Sequence, residues 1–156
     1  MSAVSHLQPT PEATAAIATA PAGYAPAQQT AQLLARSQAR RAARLNQPDM
    51  LGTDDAAALA GTTRETINRW IGSGRCIALA RPVRGYRLPR WQFEPSIHPH
   101  LAAIARALGT NEGWALLLFM ETAHEALDGR TPRVALEQGE AARVIDLAAA
   151  EGSGER

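Results

Sequence analysis

Glycine punctuates residues 53–74 so tightly that only short helices fit between the breaks. Thr53 to Ala60 reads as one such helix, with Thr53 as its cap and Asp54 and Asp55 at the positive end of its dipole. Gly61 breaks it, supplying a positive φ that other residues resist. Thr62 then opens a second helix, and Glu65 three residues on completes a Thr-x-x-Glu capping box. Ile67, Trp70 and Ile71 follow on one face, and Gly72-Ser73-Gly74 stops the run. Ala56, Ala57 and Ala60 are small where two helices must approach closely. Two short helices around a glycine turn are the layout of a helix-turn-helix.

That register sends Glu65, Thr66, Asn68, Arg69 and Ser73 outward, with Thr63 and Arg64 at the N-terminal end. Outward Thr, Asn and Arg suit phosphates and base edges, so Thr63, Arg64, Thr66, Asn68 and Arg69 are candidate DNA contacts. The bland alternative is an αα-hairpin with a polar face. Beyond it, Cys76–Ala80 and Tyr86–Pro89 flank Arg81-Pro-Val-Arg-Gly85, which suggests a β-hairpin placed as a wing. Arg81, Arg84 and Arg87 would sit on or beside its tip, facing phosphates or a minor groove. Trp91 and Phe93 seat the hairpin on the core.

Charge follows the same division. Residues 32–99 carry eleven Arg and five acids, net +6, whereas residues 100–156 carry five Arg and nine acids, net −4. A basic middle beside an acidic end implies an anionic polymer for one part and another partner for the other. Residues 1–31 are rich in Ala, Pro, Thr and Gln, have no hydrophobic period, and read as a disordered tail. Gln32–Asn46 reads as a helix with a basic stripe of Arg36, Arg40, Arg41 and Arg44.

The acidic end is helical by pattern. Leu101–Leu108 has apolar residues at 101, 104, 105 and 108, and Gly109 ends it. Glu112–Glu121 follows, with Trp114, Leu117, Leu118 and Met120 expected inside. Thr131-Pro132 starts a third helix to Glu137, and Glu140–Ala150 is the last, carrying Val144, Ile145 and Leu147. The fold expected is therefore mainly α: a helix-turn-helix with a small β-hairpin wing over residues 32–95, a compact helical bundle over 100–150, and a flexible C-terminus over 151–156.

Enzymatic signals are sparse. There is no Gly-rich phosphate loop and no nucleophile elbow. His98 and His100 have no carboxylate or Cys at a helpful spacing, so no metal or other cofactor is expected. Cys76, the only cysteine, reads as a small buried hydrophobe. The longest apolar run, Ala115–Met120, is far below spanning length, and the N-terminus lacks a signal-peptide pattern. A soluble cytoplasmic protein without catalytic residues is expected.

Trp114-Ala-Leu-Leu-Leu-Phe119 and Ala126-Leu127-Asp-Gly129-Arg-Thr131-Pro132 through Leu136, Gly139 and Val144 resemble the toxin-binding domain of Xre/MbcA/ParS-type antitoxins. Thr63-Arg-Glu-Thr-Ile-Asn-Arg-Trp70, with Gly85-Tyr86-Arg-Leu-Pro and Trp91-Gln-Phe93, is similar to the DNA-binding half of some of these proteins. The resemblance covers residues 50–150. It implies a type II antitoxin that represses its own operon and neutralises a RES-domain toxin that degrades NAD. Leu127, Arg130, Arg133, Val144, Leu147 and Glu151 are then the expected toxin contacts, and paired operator half-sites would call for a homodimer. A second function stays open at this point: an excisionase-like or phage-type DNA-binding transcriptional regulator whose C-terminal helices only dimerise.

Overall fold

Proline and glycine set where the helices begin and end. The computed structural model describes residues 26–154, which fall into two units divided after Ala42. The described residues of the first lie on α1, Ala27–Leu45, a helix with no buried residue. It starts five residues before the expected Gln32, because nothing between Pro26 and Pro48 interrupts an Ala- and Gln-rich run, and the Thr30 N–H already bonds the Pro26 carbonyl at 3.0 Å. Residues 27–31 of the expected tail are thus helical. The rest of that expectation, residues 1–25, lies outside the described residues.

The second unit is mainly helical with a small three-stranded antiparallel sheet. Its first half runs β1 (Met50–Leu51), α2 (Thr53–Ala60), α3 (Arg64–Gly72), β2 (Leu79–Ala80) and β3 (Tyr86–Pro89). The sheet order is β1-β3-β2, with Leu51 opposite Leu88 and Leu79 opposite Arg87. β1 was not expected; a two-residue strand is too short to show a period.

Two caps fall one residue from where the pattern puts them. Gly52, not Thr53, is the extended residue before α2, and the Thr53 side chain is buried instead. The cap of α3 is Thr63, whose Oγ1 accepts from the Thr66 N–H at 3.2 Å. The shift has a physical cause. Gly61, at φ 69°, turns the chain so that the Thr62 N–H bonds the Ala57 carbonyl at 2.9 Å and closes α2. Thr62 is committed to ending one helix, so Thr63 begins the next, and Glu65 falls within the first turn rather than at the far end of a capping box.

The second half holds α4 (Leu101–Leu108), α5 (Gly113–Glu121), α6 (Pro132–Glu137) and α7 (Ala141–Gly154). Gly109 in the left-handed region ends α4, Glu112 caps α5 and Thr131 caps α6 ahead of Pro132. α7 continues to Gly154 instead of stopping at Ala150. Gly152 is buried there, where a Cβ would lie 2.3 Å from the Ala107 carbonyl oxygen, so α7 lies tight against α4. Of the flexible end expected over 151–156, residues 151–154 are helical, and residues 155–156 lie outside the described residues.

The boundary expected between residues 95 and 100 does not separate two cores. One cluster joins Met50, Ile77, Leu79 and Trp91 to Ile104, Leu116, Met120, Leu136 and Val144; a smaller one gathers Ala56, Ala57, Ile67, Cys76 and Leu88. Gln92 fastens the segment before β2 to the end of β3. Its side chain is wholly buried, accepting from the Ile77 N–H at 2.7 Å and donating to the Ile77 and Pro89 carbonyls at 2.8 and 3.1 Å. Among the described residues, no helix is long and apolar enough to cross a membrane.

Candidate nucleic-acid interface

α3 separates its residues cleanly. At 100° per residue, Arg64, Glu65, Asn68, Arg69 and Gly72 fall within an arc of about 140°, and all five are exposed. Ile67 is wholly buried on the other side. Trp70, expected to be buried, is only half so; its ring lies 5.1 Å from that of His98, with the Arg75 guanidinium 5.9 Å from it. His98 is itself held between Trp70 and Phe93, and burial, aided by Arg75, pushes its pKa below the usual value.

Arg69 on the arc is bracketed by two threonines beside it. Thr63 Oγ1 donates to Thr66 Oγ1 at 3.0 Å, and Arg69 Nη2 donates to the same Thr66 oxygen at 3.1 Å. Threonine at the cap, threonine one turn on and arginine a further turn on therefore form one chain, and the arginine fork stands exposed at its end. Arg64 Nη1 lies 3.6 Å from Asp54, a solvent-exposed pair that restrains it little. Thr63, Arg64, Asn68 and Arg69 are exposed together; Thr66 is half-buried and acts as the bracket for Arg69.

In the β2–β3 hairpin, the Arg81 N–H bonds the Gly85 carbonyl at 3.0 Å, and Gly85 takes a positive φ of 88°. Arg81 and Arg84 stand exposed on the connection, beside Val83 at 87% exposure. Arg87 stands beside the tip rather than on it. It lies on β3, half-buried, with its Nη1 where a Cβ added at Gly52, just before α2, would come within 3.8 Å. Arg81 and Arg84 occupy the tip. The Cys76 thiol is buried, and that burial pushes its pKa up to about 12.

The residues expected to meet a toxin divide differently. Leu127 and Val144 are wholly buried, so they hold the helices together and offer no surface. The resemblance concerned a sequence framework, and framework residues are often the ones that pack. Arg130 turns inward to bond the Leu127 carbonyl at 2.8 Å and pairs with Glu140, whose carboxyl it holds down at about 2 with help from Arg143. Arg133 lies 5.2 Å from the Trp91 ring and 3.2 Å from Glu137. Leu147 is half-buried against the core, and Glu151, exposed, sits 3.3 Å from His124 Nδ1.

Sequence reading missed the surface that is open on this side. Leu118, expected inside, is 70% exposed. It edges a groove of about 340 Å³ lined by Leu108, Ala115, Phe119, His124, Glu151 and Gly152, among others. α5 is apolar almost all round, so no period could say which of its leucines faces out. No family model, curated protein or solved structure matches this chain.

Proposed function

We propose that the chain is a DNA-binding antitoxin that represses its own operon through α3 and neutralises a NAD-degrading RES-type toxin through its C-terminal helices. The observation that carries the DNA half is the exposed arc of α3, where Thr66, itself bonded by Thr63, brackets Arg69 from the arc's edge for a bidentate contact. In this reading α2 and α3 are a helix-turn-helix, with Asn68 and Arg69 reaching base edges and Thr63 and Arg64 reaching phosphates. The hairpin is its wing, and Arg81 and Arg84 grip the backbone beside it. Glu65 on the same arc can accept from a cytosine amino group.

The toxin half rests on the Gly129-x-Thr131-Pro132 resemblance. Asp128 and Gly129, both at positive φ, precede the Thr131 cap and make the sharp turn into α6. The groove of about 340 Å³ edged by the exposed Leu118, with Ala115 and Phe119 in its lining, is the concave surface on which this reading seats the partner. Co-expression with the toxin encoded beside this gene tests the reading. Growth rescue and co-purification, both lost in Leu118→Glu, are expected; absence of rescue and of co-purification by the parent chain overturns the antitoxin half.

One observation favours the second reading, an excisionase-like or phage-type DNA-binding transcriptional regulator whose C-terminal helices only dimerise. The larger core is shared: Ile77 and Leu79, which flank the DNA-facing half, pack with the residues of α4–α7. A chain that binds DNA but neither rescues nor co-purifies is that regulator.

A further inference from the structure

No Asp or Glu occurs between Glu12 and Asp49, and within that stretch α1 carries Arg36, Arg40, Arg41 and Arg44. Every residue from Ala27 to Ala43 is exposed. Arg36, Arg40 and Arg44 recur every four residues and so form one stripe along the helix. Arg44 already has its counter-charges: Asp49 at 2.8 Å and Glu121 at 2.7 Å. Arg36 and Arg40 have no acid three or four residues away in either direction, so like charges adjoin along the stripe and work against the helix that presents them.

We infer that α1 is a second nucleic-acid contact, a sequence-independent arm whose Arg36 and Arg40 lie against the phosphates of duplex DNA. It rests on the DNA-binding reading above and extends it to a separate surface. The partner follows from complementarity of charge: a helix with only cations meets a polymer with only anions. Each step of four residues advances about 6 Å along the helix, against one phosphate per about 3.4 Å along each DNA strand. An arginine thus finds a phosphate in any register, and the contact reads no sequence. A lipid surface suits α1 poorly. Its exposed large apolar residues are Leu33 and Leu34, with no aromatic, whereas a helix lying in a membrane needs a broad apolar face.

The test uses the full chain and a 30-base-pair duplex of arbitrary sequence, with binding measured across a series of salt concentrations. Arg36→Ala with Arg40→Ala should make the log–log slope shallower by about 1.8, two phosphates at about 0.9 each, while Arg36→Lys with Arg40→Lys keeps the parental slope. If the parent binds and the alanine pair leaves its slope unchanged, α1 lies off the DNA and the inference fails while the α3 reading stands. If the parent binds no duplex at all, both fail. Vesicles of phosphatidylcholine and phosphatidylserine provide the remaining arm: binding there that the alanine pair abolishes, with an unaltered DNA slope, makes α1 a lipid contact and also overturns the inference.

Discussion

Gly113→Ala should loosen the whole of the second unit, although the change adds one methyl group at the start of a helix. A Cβ at Gly113 would lie 2.0 Å from the Ala78 carbonyl oxygen and 2.9 Å from its carbon. Even to reach 3.0 Å, the N-terminus of α5 and the backbone before β2 must separate by about 1 Å, and neither is a flexible side chain. Overpacking of this kind costs about 1–3 kcal/mol, and backbone against backbone belongs at the upper end. Alanine recovers at most about 1 kcal/mol of helix propensity, and less than that in a first turn. The net loss should be about 2–3 kcal/mol, a fall in Tm of roughly 8–12 °C for a unit of this size. Thermal melts followed by circular dichroism read it, with Gly154→Ala, where nothing lies within 4 Å of the added carbon, as the unperturbed control. If Gly113→Ala melts with the parent, α5 does not press on the strand segment and the sharing of the larger core between the two halves is wrong.

Gln92→Leu should cost about 2–4 kcal/mol in urea unfolding, because the Ile77 N–H and two carbonyls lose their partner inside the core; a loss below about 1 kcal/mol would show that water reaches them. Acid should weaken the fold through Glu140. Its carboxyl sits at about 2 against an ordinary 4.5, chiefly through Arg130, so its contribution is complete above pH 4.5 and drains away as pH falls towards 2. Glu140→Gln should flatten that limb of a Tm–pH profile, and a variant profile parallel to the parent's would refute the pairing.

What the sequence made legible was punctuation. Gly61, Gly109 and Thr131-Pro132 end or begin helices where the pattern says, because each acts through local backbone chemistry. The caps at Gly52 and Thr63 slipped by one residue, since a cap depends on how the preceding element closes. Burial was harder. Leu127 and Val144 belong to a framework that resembles a binding domain, yet they are core, and Leu118, in an apolar run, is outside. Tertiary contact decides such cases, and no single-helix period encodes it. Gln92 gave no signal either, because a polar residue reveals a buried role only once its backbone partners are placed. The outward set Thr63, Arg64, Asn68 and Arg69 was readable because Ile67 alone fixes which way α3 faces.

The central claim, that the exposed arc of α3 reads DNA, is tested most directly by titrating the full chain with duplex from the region upstream of its own gene at fixed salt. Asn68→Ala and Arg69→Ala should each weaken that binding by about 1–3 kcal/mol, while binding to an unrelated duplex changes much less. Circular dichroism should stay native, since both side chains are exposed. Equal affinity of parent and variants for the upstream duplex, with the fold intact, would contradict the claim and turn α3 away from the groove.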